Sequence, residues 1–260
     1  MHYVDEGDGD PLLLLHGEPT WGFLYRKLIP PLAAVGRVVV PDLLGFGRSD
    51  KPVARESYSY EAHFGSLERF VRELDLRSAT LVVHDWGGPL GLRLAVEHPD
   101  RFARVVILNT GVGVGAPSSD WLRFRVLVRR AGDGFTPSRL IQASCVTRLD
   151  DDALRGYDAP FPEPAAKAGV LAFPELVPTE PDHASARAML AVRAALARWE
   201  RPTLVLFSDS DRVFSPAHAE RLAAHIPGAV PAEIVAGAGH FLQEDKGEEI
   251  AERIVRFVRD

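Results

Sequence analysis

Three segments of the 260-residue chain set reactive side chains just past apolar runs, two of them beside glycines. In Thr80-Leu-Val-Val-His-Asp-Trp-Gly-Gly88 an apolar run enters a tight turn, with Asp85 at its tip and Gly87 and Gly88 just after. A side chain so placed stands out above a sheet at a helix N-terminus, the geometry of a nucleophile elbow. The usual elbow has serine at the tip and glycine two residues earlier; here those places hold aspartate and Val83. Phe207-Ser-Asp-Ser-Asp-Arg-Val213 puts two acids, Asp209 and Asp211, past another apolar run, and Gly237-Ala-Gly-His-Phe241 carries His240 on a glycine loop. A serine hydroxyl needs a base to become nucleophilic and suits acyl carbons. A carboxylate, with an ordinary pKa of about 3.9, is already ionised at neutral pH. It can displace a leaving group from saturated carbon and remain as an alkyl ester. A histidine oriented by an acid then takes a proton from water attacking that ester. The backbone N–H groups of Glu18 and Trp86 fall where they can hold the resulting oxyanion. Esterase, lipase and peptidase chemistry lacks its nucleophile here.

Alternating elements position these residues. The apolar runs Leu12–Leu15, Arg37–Val40, Ala79–Val83, Ala103–Leu108, Thr203–Phe207 and Ala232–Val235 read as strands. Between them the spacing predicts helices over Trp21–Leu32, Tyr60–Leu74 (capped by Ser59), Pro89–Glu97, Ser185–Trp199, Ala217–Ile226 and Lys246–Val258. Apolar strands interleaved with helices imply an α/β fold with a mostly parallel sheet covered on both faces. From Gly113 to Ala184 the alternation stops in helical patches and proline-rich text, so a helical cap at 113–184 is expected within a core made of 1–112 and 185–260.

Apolar residues make up 46% and charged residues 25%, the range of a soluble globular protein. Thirty basic against thirty-six acidic residues give −6, which argues against a nucleic-acid surface. No apolar run approaches the roughly 20 residues of a membrane span, and the acidic start MHYVDEGDGD is unlike a signal peptide. A lone cysteine, Cys145, allows no intrachain disulfide or cysteine cluster, in keeping with a cytoplasmic location. No histidines stand at metal-ligand spacing, so no metal is expected.

The sequence resembles the haloalkane dehalogenases of the α/β-hydrolase superfamily. The segments that carry the likeness are HGEPTWGFLYRKLIPPL from His16, PDLLGFGRSDKP from Pro41, VVHDWGG from Val82, YDAPFP at Tyr157–Pro162, FPELVP from Phe173, FSDSD from Phe207 and GAGHFLQED from Gly237. The resemblance implies the α/β-hydrolase fold and cofactor-free hydrolysis of a small halogenated alkane by water to an alcohol and a halide ion. It implies Asp85 as nucleophile, His240 as base and Asp211, rather than Asp209, as the acid; the place after the preceding strand, Ile107-Leu-Asn-Thr110, holds no carboxylate. Trp86 matches a halide-binding tryptophan, and Trp121 in the cap is the candidate second donor. Phe124 can equally occupy that second position, which would leave one donor missing. Glu18 replaces an asparagine that serves some members as the second donor, and an ionised carboxylate there would repel halide.

The chain begins near the HYVDEG text, where the family has a further segment, so an incomplete first hairpin and an exposed sheet edge are expected. His84 is expected to point away from the elbow tip by strand alternation. His16, Trp21 and Trp199 read as structural. Two other functions fit an aspartate elbow. An epoxide hydrolase needs two cap tyrosines, and only Tyr157 lies in the cap. A catalytically silent ligand-binding member would not need the Asp85, Asp211 and His240 set. Oligomeric state is not read from the sequence.

Overall fold

The computed structural model describes residues 1–115 and 117–259; Ala116, within the expected cap, and Asp260 lie outside the described residues. Seven strands form one sheet: β1 (Tyr3–Glu6), β2 (Pro11–Leu15), β3 (Arg37–Pro41), β4 (Ala79–His84), β5 (Phe102–Leu108), β6 (Thr203–Ser208) and β7 (Glu233–Val235). Their order is β1-β3-β2-β4-β5-β6-β7, with every pairing parallel except β1 against β3.

The apolar runs alternate faces with period two. Leu13, Leu15, Leu81, Val83, Ile107, Val205 and Phe207 enter one core; Leu12, Leu14, Val82, Val106, Leu108, Leu204 and Leu206 enter the other. Helices cover both faces, as a buried parallel sheet requires. They are α1 (Ile29–Ala33), α2 (Tyr60–Glu73), α3 (Gly87–Glu97), α4 (Ser119–Ala131), α5 (Pro137–Ser144), α6 (Asp151–Asp158), α7 (Ala168–Ala172), α8 (Ala186–Leu196), α9 (Pro216–His225) and α10 (Leu242–Arg259). Helices α2, α3, α8 and α9 feed the first core, α1 and α10 the second. Each fully buried Leu, Ile or Val side chain contributes roughly 1.5–3 kcal/mol.

Two expectations need correction. The single helix expected over Trp21–Leu32 is instead a 3₁₀ turn at Gly22–Tyr25 followed by the five-residue α1. Pro30 and Pro31 lack the N–H a longer helix would donate from there. There is also no hairpin between β1 and β2. The N-terminal strand crosses to pair with β3, Tyr3 opposite Pro41 and Glu6 opposite Val38, and forms the edge of the sheet.

After β2 the chain steps to one side into β3, then returns to the other side of β2 as β4. This reversal opens a crevice at the carboxyl ends of β2 and β4, where ligands of open α/β sheets bind. Helices α4 to α7 are inserted between β5 and β6 and contain no strand among the described residues.

Candidate active site

The elbow forms because β4 ends in register with its neighbours, His84 opposite Leu108 and Val83 opposite Leu15, and the chain then turns directly into α3. Asp85 takes the left-handed conformation, φ +48°, at a cost of about 1–3 kcal/mol for a non-glycine residue. Thr110 holds that turn by donating from Oγ1 to the Asp85 carbonyl at 2.5 Å. Gly17 lets the neighbouring loop come close: a Cβ there would lie 2.1 Å from Asp85 Oδ1.

That approach brings the Glu18 N–H to 2.8 Å from Asp85 Oδ1, and the Trp86 N–H lies near enough to the same carboxylate to favour its ionised form. The two backbone donors expected for an oxyanion therefore meet on one group. The other oxygen, Oδ2, stands 3.6 Å from His240 Nε2, and His240 Nδ1 donates to Asp211 Oδ2 at 2.8 Å. Asp211 in turn accepts from the Val213 N–H at 2.6 Å. Asp209 instead accepts from the Gly237 N–H at 3.0 Å and shapes the loop that carries His240. Asp85, Asp211 and His240 are thus gathered in one place from the ends of β4, β6 and β7.

Electrostatics follow from burial and charge. Burial alone would lower the His240 pKa, but the carboxylates of Asp211 and Asp85 outweigh it and raise the imidazole to about 10. Burial would raise Asp85, but His240 and the Trp86 N–H hold it below the usual carboxylate range. Glu18 goes the other way. Burial first, and then the Asp85 charge, push its carboxyl well above the ordinary value, and its Oε1 has no partner among the described residues. The protonated form is favoured, which removes the repulsion an ionised Glu18 would exert on a halide.

Two residues of this site, Asn109 and Thr110, escaped the sequence reading, and a third, His84, has a role it did not foresee. Asn109 (φ +28°) is fully buried, donates from Nδ2 to Ser208 Oγ and to the Gly239 and His240 carbonyls, and accepts from the Ser208 N–H. It ties the ends of β5 and β6 to the histidine loop. Thr110 fastens the elbow. His84, expected to point away from the tip, donates from Nε2 to the His240 carbonyl at 2.9 Å. Burial and the nearby His240 charge lower it to about 4 and keep it neutral. All three directly follow or end an apolar strand at its carboxyl edge, the positional signal that singled out Asp85. His16 sits below, its Nε2 accepting from the Leu43 N–H at 2.9 Å.

Above Asp85 lies a cavity of about 820 Å³, lined by Trp86, Pro89, Thr110, Trp121, Val177, Met189 and Phe214 among others. Phe124 is not among its lining residues and packs against the larger apolar core instead.

The α/β-hydrolase fold family matches residues 10–247. A haloalkane dehalogenase of Mycobacterium marinum is 46% identical over 98% of this chain and 87% of its own length. The chain belongs to the haloalkane dehalogenases. A second family member, from Psychrobacter cryohalolentis, is 43% identical over 100% of the chain and 88% of its own length. Among solved structures, the tetrameric haloalkane dehalogenase DpaA of Paraglaciecola agarilytica superposes with a TM-score of 0.91 at 35% identity, covering 96% of this chain and 85% of that one. Helices α5 and α6 stand beside the loops that follow the strand ends. Here they are fastened hard at one end. The Ser144 carbonyl, at the end of α5, accepts from the His240 N–H at 2.8 Å. Asp245 accepts from the N–H groups of Val146, Thr147 and Gly239. Tyr157 of α6 and Arg26 both bond the fully buried Glu244, and Trp21 Nε1 donates to the Gly156 carbonyl at 3.1 Å. Trp199 packs, donating to Thr203 Oγ1. Among the described residues no helix is long and apolar enough to cross a membrane.

Proposed function

We propose that the chain hydrolyses haloalkanes in two steps on the residues gathered above. Asp85 Oδ2 attacks the carbon bearing the halogen, the carbon–halogen bond breaks, and halide leaves with the bonding pair, giving an alkyl ester on Asp85. His240 then removes a proton from water, the hydroxide adds to the ester carbonyl, and the oxyanion rests on the N–H groups of Glu18 and Trp86. Collapse releases the alcohol and restores the carboxylate, and His240 returns its proton to solvent. Asp211 orients the imidazole and stabilises its charged form. The indole N–H of Trp86, on an apolar body, receives the halide, and Trp121 is the second donor. Residues 113–184 act as the cap over a core of 1–112 and 185–260, and the enzyme works in the cytoplasm.

The observation that carries this reading is the division of labour on one carboxylate: Oδ1 on the Glu18 N–H, Oδ2 beside His240 Nε2 at 3.6 Å. That gap exceeds a hydrogen bond, so Oδ2 is the less firmly held oxygen of the carboxylate. Esterification also solves the problem of a base whose resting pKa is near 10. Once Asp85 is a neutral ester its charge no longer holds the proton, so His240 becomes a better base when water must be activated.

Epoxide opening is disfavoured by the tyrosines. The hydroxyls of Tyr25, Tyr58 and Tyr60 donate to the carbonyls of Leu15, Pro52 and Pro89, and Tyr157 is spent on Glu244. None of these lines the cavity over Asp85. The test is halide release from a panel of brominated and chlorinated alkanes. Asp85→Ala should abolish it, and His240→Phe should accumulate protein heavier by the alkyl group. An intact protein that releases no halide yet opens epoxides would overturn the proposal.

A further inference from the structure

The cavity over Asp85 has a wall that dehalogenation of a neutral alkane does not use. Helix α9 presents His218, Arg221, Leu222 and His225 to it, spaced three, four and seven residues from the first, which is one face of a helix. Arg193 of α8 joins them, and the His225 ring donates from Nε2 to the Arg193 carbonyl at 2.7 Å, which locks the two helices together at this point.

Neither Arg193 nor Arg221 takes part in an ion pair or side-chain hydrogen bond among the described residues, whereas Arg26, Arg93, Arg101 and Arg253 are all paired. Both are exposed, as is His218. Apart from Asp85 itself, no carboxylate is among the described residues that line the cavity. On a chain of net charge −6 this is a local reversal of sign. It is continuous with the reaction centre, because Phe214 stacks on His240 at 6.1 Å between ring centres and meets His218 edge-on at 6.4 Å. Between the two ends the lining is apolar, through Val177, Met189 and Phe214.

We propose that the cavity takes halogenated alkyl chains bearing an anionic group, such as a carboxylate, at the end remote from the halogen, with Arg193 and Arg221 receiving that group. This rests on the dehalogenation reading above for the fate of the carbon–halogen end. Two unpaired guanidiniums match a carboxylate by bidentate hydrogen bonding. A cleft lined by one sign of charge also concentrates a counter-charged substrate. The alkyl segment crosses the apolar middle and delivers the carbon–halogen bond to Asp85 and Trp86.

The test compares ω-bromoalkanoates with ω-bromoalkanols of the same chain length, over several lengths. At some length kcat/KM should favour the carboxylate by about tenfold at low salt, and the preference should shrink as ionic strength rises. In the double variant Arg193→Gln, Arg221→Gln the carboxylate-to-alcohol ratio should fall to about one, and Arg193→Lys, Arg221→Lys should recover part of it. Using a ratio makes the result independent of how much of the variant is folded. No carboxylate preference at any length, or a preference that survives the double glutamine variant, overturns the proposal. So does a variant whose only change is slower halide release, since the arginines would then serve the leaving ion. A second arm separates this inference from the reaction: in Asp85→Asn, calorimetry should show tighter binding of the bromoalkanoate than of the bromoalkanol. If neither compound is dehalogenated by the intact protein, the reaction assignment fails, and this binding difference still decides the anion site.

Discussion

Asp85 Oδ2 and His240 Nε2 stand 3.6 Å apart, and the charge on the first adds to that of Asp211 in raising the proton affinity of the second. The imidazole is held near 10 only while the carboxylate is ionised. Replacing Asp85 with Asn removes one of the two charges that raise it. NMR titration of the His240 ring should show protonation persisting to about pH 10 in the parent protein and ending at lower pH in Asp85→Asn. Stability has the same sign: the imidazole's contribution is full below its unfolded value of 6.5 and is lost as pH rises through about 10. A His240 titration that Asp85→Asn leaves in place would sink this coupling.

Glu18 titrates in the opposite sense. Its folded carboxyl is raised above the unfolded value of 4.5, so it costs nothing below that pH and destabilises the fold increasingly above it. Glu18→Gln should therefore match the parent near pH 4 and be the more stable protein at pH 7 and above. Denaturant midpoints measured across this range check it; a difference that does not grow with pH counts against a protonated Glu18.

Asn109 is the buried knot between β5, β6 and the histidine loop. Asn109→Ala leaves the Ser208 N–H without its acceptor and removes a donor from the Ser208 hydroxyl and from the Gly239 and His240 carbonyls, which keep Ser208 Oγ and His84 Nε2 respectively. A loss of about 1–3 kcal/mol in unfolding free energy is expected from the orphaned buried N–H, with turnover falling as His240 loosens. Chemical denaturation together with single-turnover ester hydrolysis separates the two effects.

The halide donors can be told apart by titrating bromide against intrinsic fluorescence. Trp86→Phe should abolish most of the affinity, and Trp121→Phe should weaken it by about tenfold or more, the worth of one hydrogen bond to a charged group. Phe124→Leu, away from the cavity lining, should leave it unchanged. Equal affinities in the parent and in Trp121→Phe would remove Trp121 from the site.

The strands were legible because residues buried on both faces leave continuous apolar runs, and the elbow because Asp85 must be followed by residues small enough for the turn. A Cβ on Gly88, for example, would fall 1.9 Å from Thr110 Oγ1. The stretch from Trp21 to Leu32 misled because apolar spacing outlines a helix while Pro30 and Pro31 forbid most of it. The N-terminal strand was hidden for a different reason: Tyr3–Glu6 is an edge strand, mostly exposed, and has no apolar run to announce it. The roles of Asn109 and His84 were not legible because they lie in which carbonyl each reaches, a relation between distant segments that spacing along the chain does not carry. Glu18 reads from the sequence as an ionised carboxylate that would repel halide, because its burial beside Asp85, which favours the protonated form, is a property of the fold.

The bonds from Ser144 to His240 and from Asp245 to the backbone at 146–147 have a further consequence. Raising the helical roof at that end would pull the base away from its acid, so the enzyme would be disarmed whenever it opened there. Opening on the opposite side, where Trp121 and Arg221 border the same cavity, would leave that bond untouched. The roof is thus tied to His240 at one end, and only the other end can be lifted without disturbing the histidine.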